Sequence, residues 1–357
     1  MNMKKLNVAL AVLVVAVMAG NAEPVYSGVV GYNKISAPVG SSFQSFNFVN
    51  QTQFSGPVAS VSGSTVTLTG LSGVSANEWA PTDGLPEGEP ANIPQYYLEI
   101  TSGEFAGYNF DIVSNTGSQL TLDPALPVAV LAEPFTDTNG NGVRNDGEPY
   151  TDSNSNNTYD PAATVEIRRH VTLGQIASGS SGLTSNVDSA TIFNSDGTQL
   201  DVSWDGSNWV DLNNFVYGDA YVIYPGTGFV LNTANQVSIN HTGVVKKSPT
   251  VVSVFNGAVN IVSTMNPQVG SSVTLGASNF GQYLIKNADS LSTFTTVAGQ
   301  IQVQYDALLW TEESGAGIWA DLNNFTDATS NTIDASQPVV ISVSADNIVK
   351  LQSPISN

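Results

Sequence analysis

The chain contains no cysteine, which removes disulfide bridges and thiol chemistry from consideration. Cations are scarce: 10 Lys and Arg stand against 30 Asp and Glu, for a formal net charge of −20. A surface of that sign repels phosphodiester backbones and anionic headgroups, so nucleic acid is excluded as a partner and divalent cations are favoured. Only two histidines occur, His170 and His241. Neither has a Ser or Cys elbow or a metal-ligand spacing around it, and both read as strand-end residues. After the first 22 residues no run is long and apolar enough to span a membrane as a helix.

Those first residues read as a secretory signal. Lys4 and Lys5 form the positive end, Val8 to Met18 the apolar core, and Gly20-Asn21-Ala22 a small-residue cleavage site. The expected location is therefore outside the cytoplasm: periplasmic, cell-surface or extracellular.

What remains is rich in Gly, Ser, Thr, Asn and Val, a balance that favours strands and turns over helices. At 357 residues the chain can bury two or three cores. Short alternating runs separated by turn residues recur from Gly28 onward. Val58 to Thr69 reads as a hairpin turning at Ser62-Gly63, and Tyr96 to Thr101 is expected to pair with Tyr108 to Val113 across Ser102-Gly103. With Ser118 to Leu122 and Thr164 to Arg169 these strands make a candidate small β-barrel.

The barrel's last connection carries the stretch from Asp137 to Asp160. Its first half matches the twelve-residue calcium loop at each fixed place: Asp137, Asn139, Asn141, Gly142 at the sharp turn, the Val143 carbonyl, Asn145 and a closing Glu148. A hard cation takes six to eight oxygens, which alternating side chains of a tight loop can supply. The second half repeats the front of the pattern with Asp152, Asn154, Asn156, the Thr158 carbonyl and Asp160. Asn157 stands where Gly is usual, and the closing place is Ala163, so a second ion would need to borrow Glu148 or Asp160. The two loops resemble those of EF-hand, dockerin and thrombospondin type-3 repeats. Arg144 departs from that pattern, and Pro134 and Pro149 argue against flanking helices.

A second organising feature is a duplication. His170-Val-Thr-Leu-Gly174, Asp188 to Phe193, Gln199 to Asp205 and Trp209-Val-Asp-Leu-Asn-Asn-Phe215 recur in order as Ser272-Val-Thr-Leu-Gly276, Asp289 to Phe294, Gln300 to Asp306 and Trp319-Ala-Asp-Leu-Asn-Asn-Phe325. Extra residues in the second copy fall around Glu312 to Gly317. Val259 to Thr264 has its nearest counterpart in Phe46 to Gln51, upstream of the barrel.

The expected architecture is thus all-β: two repeated β-sandwich-like domains with a small β-barrel module inserted in the first, carrying a calcium loop. Its divisions are 1–22 signal; 23–53 first strands of repeat 1; 54–170 barrel, with the calcium insertion at 133–162; 171–249 remainder of repeat 1; and 250–357 repeat 2. The chain also resembles a family of uncharacterised secreted proteins of verrucomicrobial and related bacteria. That likeness rests on Val30-Gly-Tyr, Tyr97-Leu-Glu-Ile-Thr-Ser-Gly, Val165 to Gly174 and Tyr224-Pro-Gly-Thr-Gly-Phe-Val-Leu231. It implies secretion and a β fold, and no chemistry.

Catalytic candidates are thin. Asp201, Asp205 and Asp211, or Glu312, Glu313 and Asp321, could pair as glycosidase carboxylates. Trp204, Trp209, Trp310 and Trp319, with Tyr217 and Tyr305, could form an aromatic binding face. The repeated Trp-x-Asp-Leu-Asn-Asn-Phe reads instead as a turn unit with Trp, Leu and Phe inward. The reading that follows is a non-enzymatic, calcium-binding secreted β-protein with a structural or adhesive role at the cell surface or in the extracellular matrix. Calcium ions, glycans and copies of itself are the candidate partners. A glycan-binding module is the alternative, and a glycoside-active enzyme comes third.

Overall fold

The structure is a computed structural model describing residues 30–81, 92–194, 197–265, 272–313, 316–334 and 337–353. The leader lies outside the described residues, as do the side chains of Tyr305, Trp310, Glu312 and Glu313. The chain is all-β, with several sheets, one closed six-stranded barrel and little helix. Among the described residues no helix is long and apolar enough to cross a membrane.

The barrel closes through Thr52–Ser62, Thr65–Leu68, Gln119–Asp123, Asn109–Asn115, Tyr96–Ile100 and Thr164–Arg169, the last pairing back onto the first. Alternation drives it: Val58, Val66, Leu98, Ile100, Ile112, Leu120, Val165 and Ile167 point inward, all buried. Closure leaves no exposed sheet edge.

On either side of the barrel in sequence, Gly40–Ser45 and Gly228–Thr233 pair with each other. They belong to a five-stranded sheet ordered Trp209–Asp211, Gln199–Trp204, Ser189–Phe193, Gly228–Thr233, Gly40–Ser45. The second copy builds the same order from Ala316–Asp321, Gln300–Glu313, Ser290–Val297, Val339–Ser342 and Asn260–Val262. Smaller sheets match too: Val171–Thr172 with Val222–Ile223 answers Ser272–Thr274 with Thr332–Asp334, and Val30–Ala37 with Val237–Val244 answers Thr250–Val254 with Asn347–Leu351. The strand equivalent to Asn260–Val262 is therefore within Gly40–Ser45, a few residues earlier than the likeness of Phe46 to Val259 implies. Pairing with the neighbouring strand fixes the frame, whereas the Phe46 likeness reflects only a shared apolar-Asn-apolar pattern.

The repeated motifs have specific jobs. Asp188 and Asp289, both fully buried, each accept two backbone N–H bonds: from Thr184 (2.7 Å) and Ala234 (2.8 Å), and from Ile285 (2.7 Å) and Ser344 (2.8 Å). In Val-Thr-Leu-Gly the glycine permits close approach: a Cβ at Gly276 would lie 2.6 Å from the Thr329 methyl. Trp209 and Trp319 fill the two cores, each completely buried. The turn after them differs from expectation, because Phe215 and Phe325 point outward, 82% and 79% exposed, at φ +56° and +57°. Leu212 is also exposed. The loop is closed by backbone bonds, Phe215 N to Asp211 O (2.9 Å) and Phe325 N to Asp321 O (2.7 Å), which fix the left-handed residue and turn its side chain to solvent.

Candidate metal centre

The calcium-like stretch hangs from the barrel as a compact double loop. Its stem is held by Ala163 N to Val130 O (2.8 Å) and Glu133 N to Asp160 O (3.0 Å). Phe135 and Tyr150 form an antiparallel bridge, flanked by Thr136 N to Pro149 O and Thr151 N to Pro134 O, both 2.8 Å. The prolines therefore sit in extended segments, consistent with their fixed φ and missing N–H. Arg144 is clamped between the Tyr150 and Tyr159 rings at 4.7 and 4.8 Å, and its Nε donates to the Glu148 carbonyl (3.2 Å). Its departure from the EF-hand pattern thus makes a small cation–π core in place of an apolar one.

In the first loop, Asp137 accepts from the N–H groups of Gly140 (2.6 Å), Asn141 (3.3 Å) and Gly142 (2.7 Å). Asn139 and Asn141 accept from Asn141 N (3.0 Å) and Val143 N (2.8 Å), and the Asn145 amide donates to the Val143 carbonyl (2.8 Å). Glu148 closes the loop: one oxygen accepts from Thr138 N and Oγ1 (both 2.9 Å), the other from Asn145 N (2.8 Å). The Asn145 N–H has the largest effect and holds the Glu148 carboxyl below its usual range; desolvation comes next and opposes it, and the two bonds from Thr138 add to the lowering.

The second loop folds alike. Asp152 accepts from Asn156 N (3.1 Å) and Asn157 N (2.8 Å). The Asn156 side chain accepts from Thr158 N (2.7 Å), and the Asn154 and Asn156 amides both point at one Asp160 oxygen, at 2.8 and 3.0 Å. Ser155 and Asn157 take φ of 61°, as Gly140 and Gly142 take 73° and 75° in the first loop. The closing carboxylate is neither Glu148 nor Asp160. It is Glu133, which accepts from Ser153 N (2.5 Å) and Asp160 N (3.2 Å), the same two loop positions that Glu148 holds in the first loop. Glu133 and Glu148 are both buried.

Each glutamate thus precedes one loop and closes the other. The sequence carries the signal, Glu133-Pro-Phe-Thr-Asp137 repeated as Glu148-Pro-Tyr-Thr-Asp152, but a template applied within a single loop cannot see it. The donors are all hard oxygens, which fits calcium. Among the described residues no three His, Cys, Asp or Glu side chains converge closely enough to hold an ion alone, so amide and carbonyl oxygens must complete either shell. At the second loop an ion would require the Asn154 and Asn156 amides to turn over, since only their oxygens ligate.

The other candidates disperse. Trp209 and Trp319 are buried and cannot present a binding face, and Trp204 packs edge-on against Trp209 with centroids 5.5 Å apart. Asp211 is buried at its turn. Desolvation pushes its carboxyl up, but bonds from the Tyr221 hydroxyl (2.7 Å) and the Asn214 amide (2.8 Å), with the N–H groups of Asn213 and Asn214, leave it lowered. Asp201 bonds Thr191 (2.5 Å). His170 is buried and bonds Asp111 through Nε2 (2.9 Å). His241 lies within Val237–Val244 rather than at a strand end, stacked on Phe46 at 4.1 Å. No family model, curated protein or solved structure matches the chain.

Proposed function

We propose that this chain is a secreted, non-catalytic β-protein whose paired loops bind calcium and so order a long exposed connection, serving a structural or adhesive role at the cell surface or in the extracellular matrix. The observation that carries the reading is the reciprocal closure, with Glu148 seated in the first loop and Glu133 in the second at equivalent positions. Two buried carboxylates held by backbone N–H groups, on loops whose other polar side chains are mostly Asp and Asn, offer the hard oxygens that a calcium loop uses. The leader and the acidic surface support placement where calcium is abundant.

Extracellular calcium modules bind at about 10⁻⁴ to 10⁻³ M, so a tenfold excess of ion stabilises each site by roughly 1.4 kcal/mol. That is enough to order a loop and too little to fold three cores. Calorimetric titration of the mature chain with calcium is expected to give two sites. Glu148→Gln should weaken the first about tenfold or more, and Glu133→Gln the second. No heat at millimolar calcium would overturn the reading; two sites surviving Glu133→Gln would overturn the reciprocal closure.

A further inference from the structure

The two repeats enclose a cleft that shares no residue with the calcium-like loops. It lies between the edge strand Gly40–Ser45 of the first repeat and, in the second, the strand Ser290–Val297 with residues 332–334 and 337–339, and holds about 560 Å³. That is within the roughly 300–1,000 Å³ of small-molecule sites. The two sides meet at one end, where Ser41 N donates to Gly299 O (3.2 Å) and Thr296 Oγ1 to Ser41 O (2.9 Å).

The lining is chemically selective. Residues with hydroxyls and amides dominate, Ser42, Gln44, Thr296 and Gln337 among them, and among the described residues no Lys or Arg lines it. A single carboxylate, Asp334, is present, so anions such as phosphates and nucleotides are disfavoured. Phe43 and Phe294 meet edge-on at 4.8 Å and give the wall apolar area. Two of the lining residues are largely buried, Gln44 at 4% and Thr293 at 8% exposed. The strand is bulged around Thr293, a distortion that re-aims side chains.

We propose that this cleft binds a short neutral oligosaccharide. Sugar hydroxyls supply donor and acceptor together, and the flat C–H faces of the ring suit the Phe43–Phe294 wall. The test is calorimetry of the whole mature chain with cellotriose, maltotriose, xylotriose and N-acetylchitotriose. At least one is expected to bind, about tenfold more weakly to Phe43→Ala, which removes one ring of the apolar wall. Gln337→Trp, an exposed position at the cleft, should block binding while leaving the unfolding midpoint unchanged. Binding to none of the four, or binding undiminished in both variants, would overturn the proposal. Binding lost on adding EDTA would place the sugar at the loops and overturn it as well. A preference for an extended Thr-Val peptide over every sugar would make the cleft a strand-docking edge instead, and end the saccharide reading.

Discussion

His241 shows how far one buried side chain can set the response of this protein to acid. Its ring lies against Phe46 and, at 6.0 Å, Phe48, and neither ring nitrogen finds a hydrogen-bond partner among the described residues. Burial alone lowers its pKa from the ordinary 6.5 to about 4, so the fold holds it neutral. In the unfolded chain it protonates near pH 6.5. Between those values the unfolded state binds more protons, so the contribution is complete above pH 6.5 and is lost as pH falls toward 4, by roughly 3 kcal/mol. Urea unfolding from pH 7 to 4 should show that loss, and His241→Phe should flatten the slope whatever it does to the absolute stability. An unchanged slope would mean that carboxylates govern the acid response. The contribution of Glu148, whose carboxyl is lowered, belongs to a lower window: it is complete above the ordinary Glu value and lost as pH falls through the depressed one.

The double loop is the element on which sequence and structure differ most usefully. Excising residues 133–160 and joining the ends with Gly-Ser should leave the barrel folded, because the excised stretch contributes no strand to the closed network and its ends lie together at the Glu133–Asp160 bond. Circular dichroism should show the β signal retained, calorimetry should show calcium binding gone, and unfolding of the shortened chain would make the loops part of the barrel's core. The barrel strands were legible because alternation and Gly turns are local signals: Thr164–Arg169 falls where its pattern puts it, and Gly63 turns its hairpin at φ 58°. The tight turns of the first loop were legible for the same reason, Gly140 and Gly142 taking φ of 73° and 75°. Glu133 was not, because it belongs to the second loop only through a pairing between segments. Phe215 and Phe325 were misread because an apolar residue is inward by default, and backbone bonds closing their turn outweigh that preference. His241 reads as a strand end in sequence because the polar Asn240 and Thr242 flank it, yet those two are exposed and His241 is buried mid-strand.

At the scale of the whole molecule the two sheets of matching order make a contact that neither has alone. Near the carboxyl end of Gly228's neighbour strand the repeats are zipped by a Thr227–Val262 bridge and by Ser263 to Asn47 (2.8 Å). At the other end only Gly40 and Gly299 allow approach: both have φ above +80°, and a Cβ at Gly40 would lie 1.9 Å from the Gly299 carbonyl oxygen. That atom is backbone and cannot rotate away, so Gly40→Ala must push the Ala298–Gly299 turn off the first repeat and widen the cleft mouth. It also places a Cβ on a left-handed residue, which by itself costs about 1 kcal/mol. Gly63→Ala separates the two effects, since Gly63 is left-handed too but has nothing within 4 Å of the added carbon. Hydrogen exchange is the fitting readout, because the bond at risk is Ser41 N to Gly299 O. Peptides covering 40–45 and 296–300 should exchange at least tenfold faster in Gly40→Ala and at the native rate in Gly63→Ala. Equal behaviour of the two variants would mean that the repeats are held by the Thr227–Val262 side alone and that the cleft stands open at its Gly40 end.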